Sequence, residues 1–416
     1  MTFALAFAAF LLLPLFGLFV WRLEDVRKLD LAGRIAIAGA VGIVAVGLVL
    51  GLLSVARIDW SRTSVFLPLA AIAVAGVRTA RGGTYPSPLK PKTIFLVLFA
   101  AIGVLLVYGL VTARMSSGDI HFFWGPKAIR FYREGGVSLA VLHEPSHAYM
   151  NRDYPVLLPL LYSWMQTMAH QMSFEAGMLA TALFLLAIVA IVRSISGDDA
   201  TAVVLAAALT YTVAKAPAGG AGEAPLLLFE ILALCALTFF QDARTRGIIA
   251  SIALAGAAST KLEGATFVVA VAIAVVLVQR NVKRAIQVCL PAAITLGGWV
   301  AFVKLNGLSG GYGGATMPIF LDVIPLALRQ MAKAGSYGVY WLPWLAAIAL
   351  IVLGDVRRAA LPLLVAVLTT GAALFFYIHV PDPTVWIAGS GPRVLLTPLA
   401  CLYVAAAAAW PGLRDN

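Results

Sequence analysis

Charge is what this sequence has least of. Only 12% of its 416 residues are Asp, Glu, Lys or Arg, while 62% are apolar, and the mean hydropathy is +0.95. No water-soluble fold covers that much apolar surface, so the chain is expected in a lipid bilayer. Cysteine is scarce too: Cys235, Cys289 and Cys401 each lie inside an apolar run without metal-ligand spacing. They read as small core residues and say nothing about redox compartment. Period-2 alternation is missing from the apolar runs, which are continuous and rich in Leu, Ala and Val. Only helices and closed barrels satisfy their backbone in lipid, so an all-α bundle is left. A nucleotide-type phosphate loop is missing as well. The clusters Gly219-Gly220-Ala-Gly222 and Gly310-Gly311-Tyr-Gly313-Gly314 lack both the strand–turn–helix context and a Lys-Ser/Thr ending. They read as flexible loops or close helix contacts, the second as a cover over a site.

What charge there is falls in a pattern. The net +11 comes from Lys and Arg in short links between apolar runs, which is the positive-inside arrangement and no sign of a nucleic-acid partner. Spans are predicted at 2–21, 35–56, 63–77, 93–113, 174–192, 200–216, 224–240, 247–260, 264–279, 285–303, 337–353, 359–379 and 393–410. Arg22, Arg27, Lys28 and Arg34 follow the first run instead of preceding it, which marks a retained span and not a signal peptide. The links carrying Arg78 and Arg81, Arg244 and Arg246, Arg280, Lys283 and Arg284, and Arg357 and Arg358 are expected on the cytoplasmic side. Parity then requires that 155–171, with Pro155, Pro159, Gln166, His170 and Gln171, does not cross; it is expected to lie at or re-enter the outer interface. The result is a multi-pass protein of a plasma or inner membrane with about thirteen spans, its N-terminus outside and its C-terminus inside. It forms one transmembrane domain over 1–416: three leading spans in 1–92, a central module in 93–280, and closing spans in 281–416.

Ionisable groups at the ends of apolar helices are costly, so they point to function. Asp119, Lys127, Asp153, Glu223, Lys261, Glu263 and Arg393 come from distant parts of the chain, yet the predicted topology brings all of them to the outer face. The longest hydrophilic stretch, 114–153, also holds His121, His143 and His147. His143 and His147 have Glu144-Pro145-Ser146 between them, which disfavours a helix and hence a metal site. Trp124 and Tyr154 suit either the stacking wall of a sugar site or an interfacial aromatic belt. Glu230, seven residues after Glu223 and on the same helical face, is expected to be paired inside the bundle.

The ordered set Asp119…Trp124…Lys127-Ala128, His147…Asp153-Tyr154-Pro155…Pro159, Glu223-Ala-Pro225 and Gly256…Thr260-Lys261, with Arg393 in the tail, resembles the type C (GT-C) membrane glycosyltransferases. It looks closest to the branch of the protein mannosyltransferases and the bacterial lipid A aminoarabinose transferases, over residues 93–280. The resemblance implies a catalytic module at the outer face that takes a hexose or pentose from a polyprenyl-phosphate donor and passes it to a glycan, lipid or protein acceptor; no cofactor is expected, and the histidine spacing shows no metal site. Asp119 would be the catalytic base, Lys127, Lys261 and Arg393 the donor-phosphate ligands, and Trp124, His147, Asp153, Tyr154, Glu223 and Glu263 the substrate contacts. The chain departs from the family in having Gly118 and Ile120 around Asp119 where a second acid often stands, and Glu223 where aspartate is common. A transporter or flippase, with broken helices near 215–223 and 260–263, is the alternative from another class.

Overall fold

The computed structural model describes residues 1–80, part of 93–104, 118–145, 152–197, 222–308, 321–334, 342–379 and 383–409. Among the described residues there are helices and turns and no strand. Pro14 and Gly17 break the first apolar run into α1 (Thr2–Leu11), α2 (Leu13–Phe16) and a 3-10 turn, Leu18–Arg22. α3 (Glu24–Lys28), α4 (Leu31–Val55) and α5 (Arg62–Ala80) follow. The polar stretch forms a π-helical turn, Ile120–Trp124, then α6 (Gly125–Arg133) and α7 (Leu139–His143). Next come α8 (Leu157–Ala169), α9 (Phe174–Ser196), α10 (Glu223–Phe239), α11 (Ala243–Thr260), α12 (Leu262–Gln279) and α13 (Val282–Leu305). α14 (Ile324–Ala334), α15 (Leu342–Leu353), α16 (Val356–Tyr377), α17 (Pro383–Val394) and α18 (Leu396–Ala409) complete the chain order.

Among the described residues, eight helical stretches are long and apolar enough to cross a membrane: Thr2–Arg22, Leu31–Val55, Arg62–Ala80, Phe174–Ile195, Leu262–Gln279, Val282–Leu305, Val356–Tyr377 and Pro383–Ala409. The protein is therefore a helical membrane bundle. The predicted span 200–216 and most of 93–113 lie outside the described residues.

Two polar layers terminate the apolar helices. At one end, short acidic and amide side chains start α4, α11, α13 and α16. Asp30 accepts from the Gly33 N–H at 2.8 Å, Asp242 from Thr245 at 2.7 Å, Asn281 from Arg284 at 2.8 Å and Asp355 from Arg357 at 3.0 Å. Each satisfies an otherwise orphaned helix donor. Asp30 also takes the Arg193 guanidinium and the Ser194 hydroxyl, tying α4 to α9, and Asp25 accepts from the Asp242 N–H at 2.7 Å. The basic links Arg22–Lys28, Arg244/Arg246, Arg280–Arg284 and Arg357/Arg358 all belong to this basic end. α10, at 17 residues, runs from Glu223 at the opposite end to the turn before Asp242, a rise of about 26 Å that matches a hydrocarbon core.

Two stretches narrow or correct the expectation. Of the two placements expected for 155–171, lying at the outer interface is excluded and re-entry is left: α8 is buried along nearly its whole circumference, from Leu157 to Ala169, and is not among the helices long and apolar enough to cross. Apolar residues occur on all its sides, with Ser163, Gln166 and Thr167 buried among them, and a helix of this kind belongs in the core. The Trp164 indole N–H donates to the Ala9 carbonyl at 3.0 Å, and the Ser163 hydroxyl donates to Ala128 at 3.2 Å. The segment before Arg393, expected as an outer loop over 381–392, is helical as α17 and leads into α18 after a break at Leu395. The predicted 305–335 loop likewise contains α14, while its glycine cluster lies outside the described residues.

Backbones touch where α2 crosses α4. A Cβ on Gly42 would sit 1.9 Å from the Leu13 carbonyl oxygen, whereas one on Gly51 of the same helix would meet nothing within 4 Å. Gly42→Ala is expected to destabilise the bundle by about 1–3 kcal/mol through overpacking. Gly51→Ala should be neutral or stabilising by up to about 1 kcal/mol. Thermal unfolding of both variants in one detergent checks the pair, and equal effects would contradict the crossing.

Candidate functional site

The end of the bundle opposite the basic turns carries a continuous chain of charges. Asp119 stands just before the π-helical turn, closed by the Gly125 N–H on the Ile120 carbonyl, and Trp124 stands at its end. The i to i+5 spacing of that turn puts the two residues one above the other. Glu223 is the first residue of α10, where the positive end of the helix dipole favours a carboxylate. Lys261 sits in extended conformation between α11 and α12, terminating one and starting the next. Arg393 is carried near the end of α17.

These four meet. The Arg393 guanidinium donates through Nη1 to Asp119 Oδ1 at 3.3 Å, through Nη2 to Asp119 Oδ2, and through Nε to Glu223 Oε1 at 2.8 Å. Lys261 Nζ donates to the same Glu223 Oε1 at 2.7 Å and lies 3.1 Å from Glu263 Oε1. Asp119, Glu223 and Lys261 are buried, and Arg393 and Glu263 are part-exposed. Among the described residues three carboxylates thus face two cations. Burial pushes the Asp119 carboxyl above the usual range and the nearby Glu223 carboxylate pushes it further, with Arg393 and Lys261 pulling the other way.

Beside this chain lies a cavity of about 260 Å³ between α12, α16, α17 and α18. Tyr154, Glu263, Thr369, Trp386, Ser390 and Thr397 are among its walls. Glu263 and Thr397 also border the pocket around Glu223, Lys261 and Arg393, so the charges close one side of the cavity. Trp124 and Tyr154 have ring centroids 6.0 Å apart and are buried, so they wall the site and do not serve as an interfacial belt. Gly222 makes room for Lys261 and Trp124: a Cβ there would lie 3.0 Å from the Lys261 stem and 3.3 Å from the Trp124 ring.

Lys127, grouped with Lys261 and Arg393 from the sequence, stands apart from them. It is fully buried, with Nζ 6.0 Å from the centre of the Trp124 ring, and the carboxylate that acts on it is Asp153. The backbone carbonyl of Asp153 is held by the Trp299 indole at 2.7 Å, a contact no local sequence signal announces. His147 lies outside the described residues, and Glu144 pairs with Arg130 at 3.2 Å. Glu230 accepts from the Thr397 hydroxyl at 2.8 Å, the pairing expected inside the bundle. Ser390, whose hydroxyl is 3.0 Å from that of Tyr377, and Thr369 also border the cavity, and no motif in the sequence singles out these three as site residues. Among the described residues, Trp124 Nε1, Asp153 Oδ1, Glu223 Oε2 and Glu263 Oε2 are buried without a hydrogen-bond partner.

Comparison with protein-family models, with curated proteins and with solved structures finds no significant match.

Burial pushes the Lys127 ammonium down to about 7, against the attraction of Asp153. An unfolded chain keeps this proton up to about pH 10.4, so between the two values the unfolded state binds more protons and stability rises with pH. The thermal midpoint of the wild type should therefore gain on going from about pH 7 to about pH 9 relative to Lys127→Met, which has no group to titrate. Parallel melting curves for the two proteins would refute a buried titrating lysine.

Proposed function

We propose that the chain is a GT-C-type membrane glycosyltransferase. It moves a hexosyl or pentosyl group from a polyprenyl-phosphate donor to a glycan, lipid or protein acceptor at the non-cytoplasmic face of a plasma or inner membrane. The observation that carries this reading is the charge chain from Asp119 through Arg393, Glu223 and Lys261 to Glu263, built from segments up to 274 residues apart and bordering a cavity. Positive-inside logic puts the basic end in the cytoplasm and the charge chain outside. The sequence-based expectation of further crossings at 93–113 and 200–216, outside the described helices, would bring the count to about thirteen spans.

Each group then has a chemical part. Asp119, with its raised affinity for a proton, removes the proton of the acceptor nucleophile. The acceptor oxygen attacks the anomeric carbon in one displacement with inversion. Arg393 and Lys261 stabilise the charge that develops on the leaving phosphate, where fixed cations matter most. Trp124 and Tyr154 pack against the sugar, and the unpartnered oxygens of Asp153, Glu223 and Glu263 accept from its hydroxyls, with His147 assigned to the same contacts. Buried polar atoms without partners are costly, and a polyol that supplies partners removes that cost. A transporter would need such charges near the midplane, and these stand at one end of the bundle.

Asp119→Asn keeps the shape of the side chain but cannot take the proton. Single-turnover transfer should fall by about two to four decades, with donor still bound. Near-normal transfer would remove Asp119 as base. Sidedness has its own test on the two ends of α13. With the native cysteines replaced, an impermeant thiol reagent applied outside should label Lys304→Cys and spare Lys283→Cys, both positions being exposed. The reverse pattern would invert the protein in the membrane.

A further inference from the structure

Arg393 is bound to two carboxylates, one of which, Asp119, the transferase reading needs as a base. Its Nη1 and Nη2 hold both oxygens of Asp119, while Nε rests on Glu223 Oε1. The second cation is no freer, since Lys261 is shared between Glu223 and Glu263. Among the described residues three carboxylates stand against two cations, so an anionic sugar phosphodiester meets cations, Arg393 and Lys261, that are already engaged. Phosphate binding and the freeing of Asp119 are therefore not independent events. One guanidinium face serves the base or the phosphate.

Resting on the transferase reading, we propose that Arg393 is handed from Asp119 to the leaving phosphate as Asp119 takes up the acceptor's proton. The proton of the acceptor O–H moves to an Asp119 oxygen, and the acceptor oxygen forms its bond to the anomeric carbon. The bond from that carbon to the phosphate oxygen breaks, and its electron pair stays on the phosphate, whose charge goes from one negative to two. A neutral carboxylic acid holds a guanidinium far less strongly than a carboxylate does, because the charge-assisted part of the bond is gone. Nη1 and Nη2 thus come free in the step that creates the new negative charge. The Nε contact to Glu223 persists and keeps the guanidinium in place while its outer face changes partner. Arg393 acts on the reacting phosphate; Glu223 is a positioning residue that holds it. The charged and titratable groups around Asp119 are Arg393 on α17, Glu223 on α10, Lys261 between α11 and α12, and Tyr162 on α8.

The neutral isostere imitates the protonated base, so binding of the leaving group separates this proposal from simpler ones. Farnesyl phosphate, a short prenyl monophosphate, is titrated against purified wild type, Asp119→Asn, Arg393→Gln and the double variant in detergent. Asp119→Asn is expected to bind it about ten- to a hundredfold more tightly than wild type, the worth of a released charge-assisted contact. The double variant should lose that advantage. Wild-type affinity should also rise from about pH 8 to about pH 5.5 by more than that of Arg393→Gln, which shares the titration of the phosphate itself but has no guanidinium to release. This pH comparison decides the matter if Asp119→Asn does not fold. Unchanged or weaker binding in a folded Asp119→Asn, or equal pH dependence in wild type and Arg393→Gln, overturns the hand-over and leaves the transferase reading standing. Absence of binding by every variant at every pH overturns the transferase reading and the hand-over with it.

Discussion

The contact on which the site depends is the Arg393 guanidinium between Asp119 and Glu223. Two buried carboxylates at close range repel each other and lose hydration, and neither would remain charged there without a cation between them. Arginine suits that place because its planar fork binds one carboxylate with two nitrogens and still has Nε for another. The same contact is mechanical: it ties α17 to the turn before Trp124 and to the start of α10, and Lys261 adds the α11–α12 turn. Removing one member of such a buried set leaves its partner uncompensated, which costs more than the set as a whole contributes. The arrangement is therefore better understood as specifying geometry than as stabilising the bundle.

Close helix approach is the second requirement. Gly222, immediately before Glu223, has the Lys261 stem and the Trp124 ring against its Cα. A side chain there would push apart the two elements whose polar ends must meet. In lipid, helices associate through van der Waals packing of this kind, since apolar burial gives no preference between lipid and protein. Small residues at the crossings thus control how near the charges come.

Much of this was legible in the sequence, for a reason of topology. Counting crossings between basic links is enough to bring Asp119, Glu223, Lys261, Glu263 and Arg393 to one end, because each lies at the edge of an apolar run and parity leaves only two ends. Parity says nothing about depth or neighbours. The Asp119…Trp124…Lys127 pattern groups Lys127 with the phosphate ligands, while α6 turns it inward beneath Trp124, where Asp153 is the acting carboxylate. α8 shows the same limit: of its two expected placements, at the outer interface or re-entering it, burial excludes only the first. Prolines and scattered polar residues suggested an interface, whereas Ser163 and Trp164 spend their polar groups on neighbouring carbonyls and leave an apolar helix for the interior. Helix α17 was read as loop because Gly389, Gly391 and Pro392 weaken its local propensity; packing against α14 and a Ser390–Tyr377 contact favour the helix nonetheless.

Glu223 and Glu230 lie on one face of α10, two turns or about 10 Å apart. Their surroundings differ in kind. Glu223, at the helix start, meets two cations supplied by other segments, while Glu230 meets a threonine hydroxyl. Cations reach the first because Lys261 and Arg393 stand where helices end, and long basic side chains are tolerated there. They do not reach the second because a lysine or arginine two turns deeper would lose its hydration without a headgroup or solvent to replace it. A polar group in the interior must therefore be satisfied by small hydroxyls, and ionic chemistry is confined to the layer at the end of the bundle. That confinement suits the proposed donor, whose tail would stay in the bilayer while its phosphate lies at the surface. The two parts of such a molecule need the same two environments, apolar helix flanks and a terminal layer of charge, that α10 passes through in its first two turns.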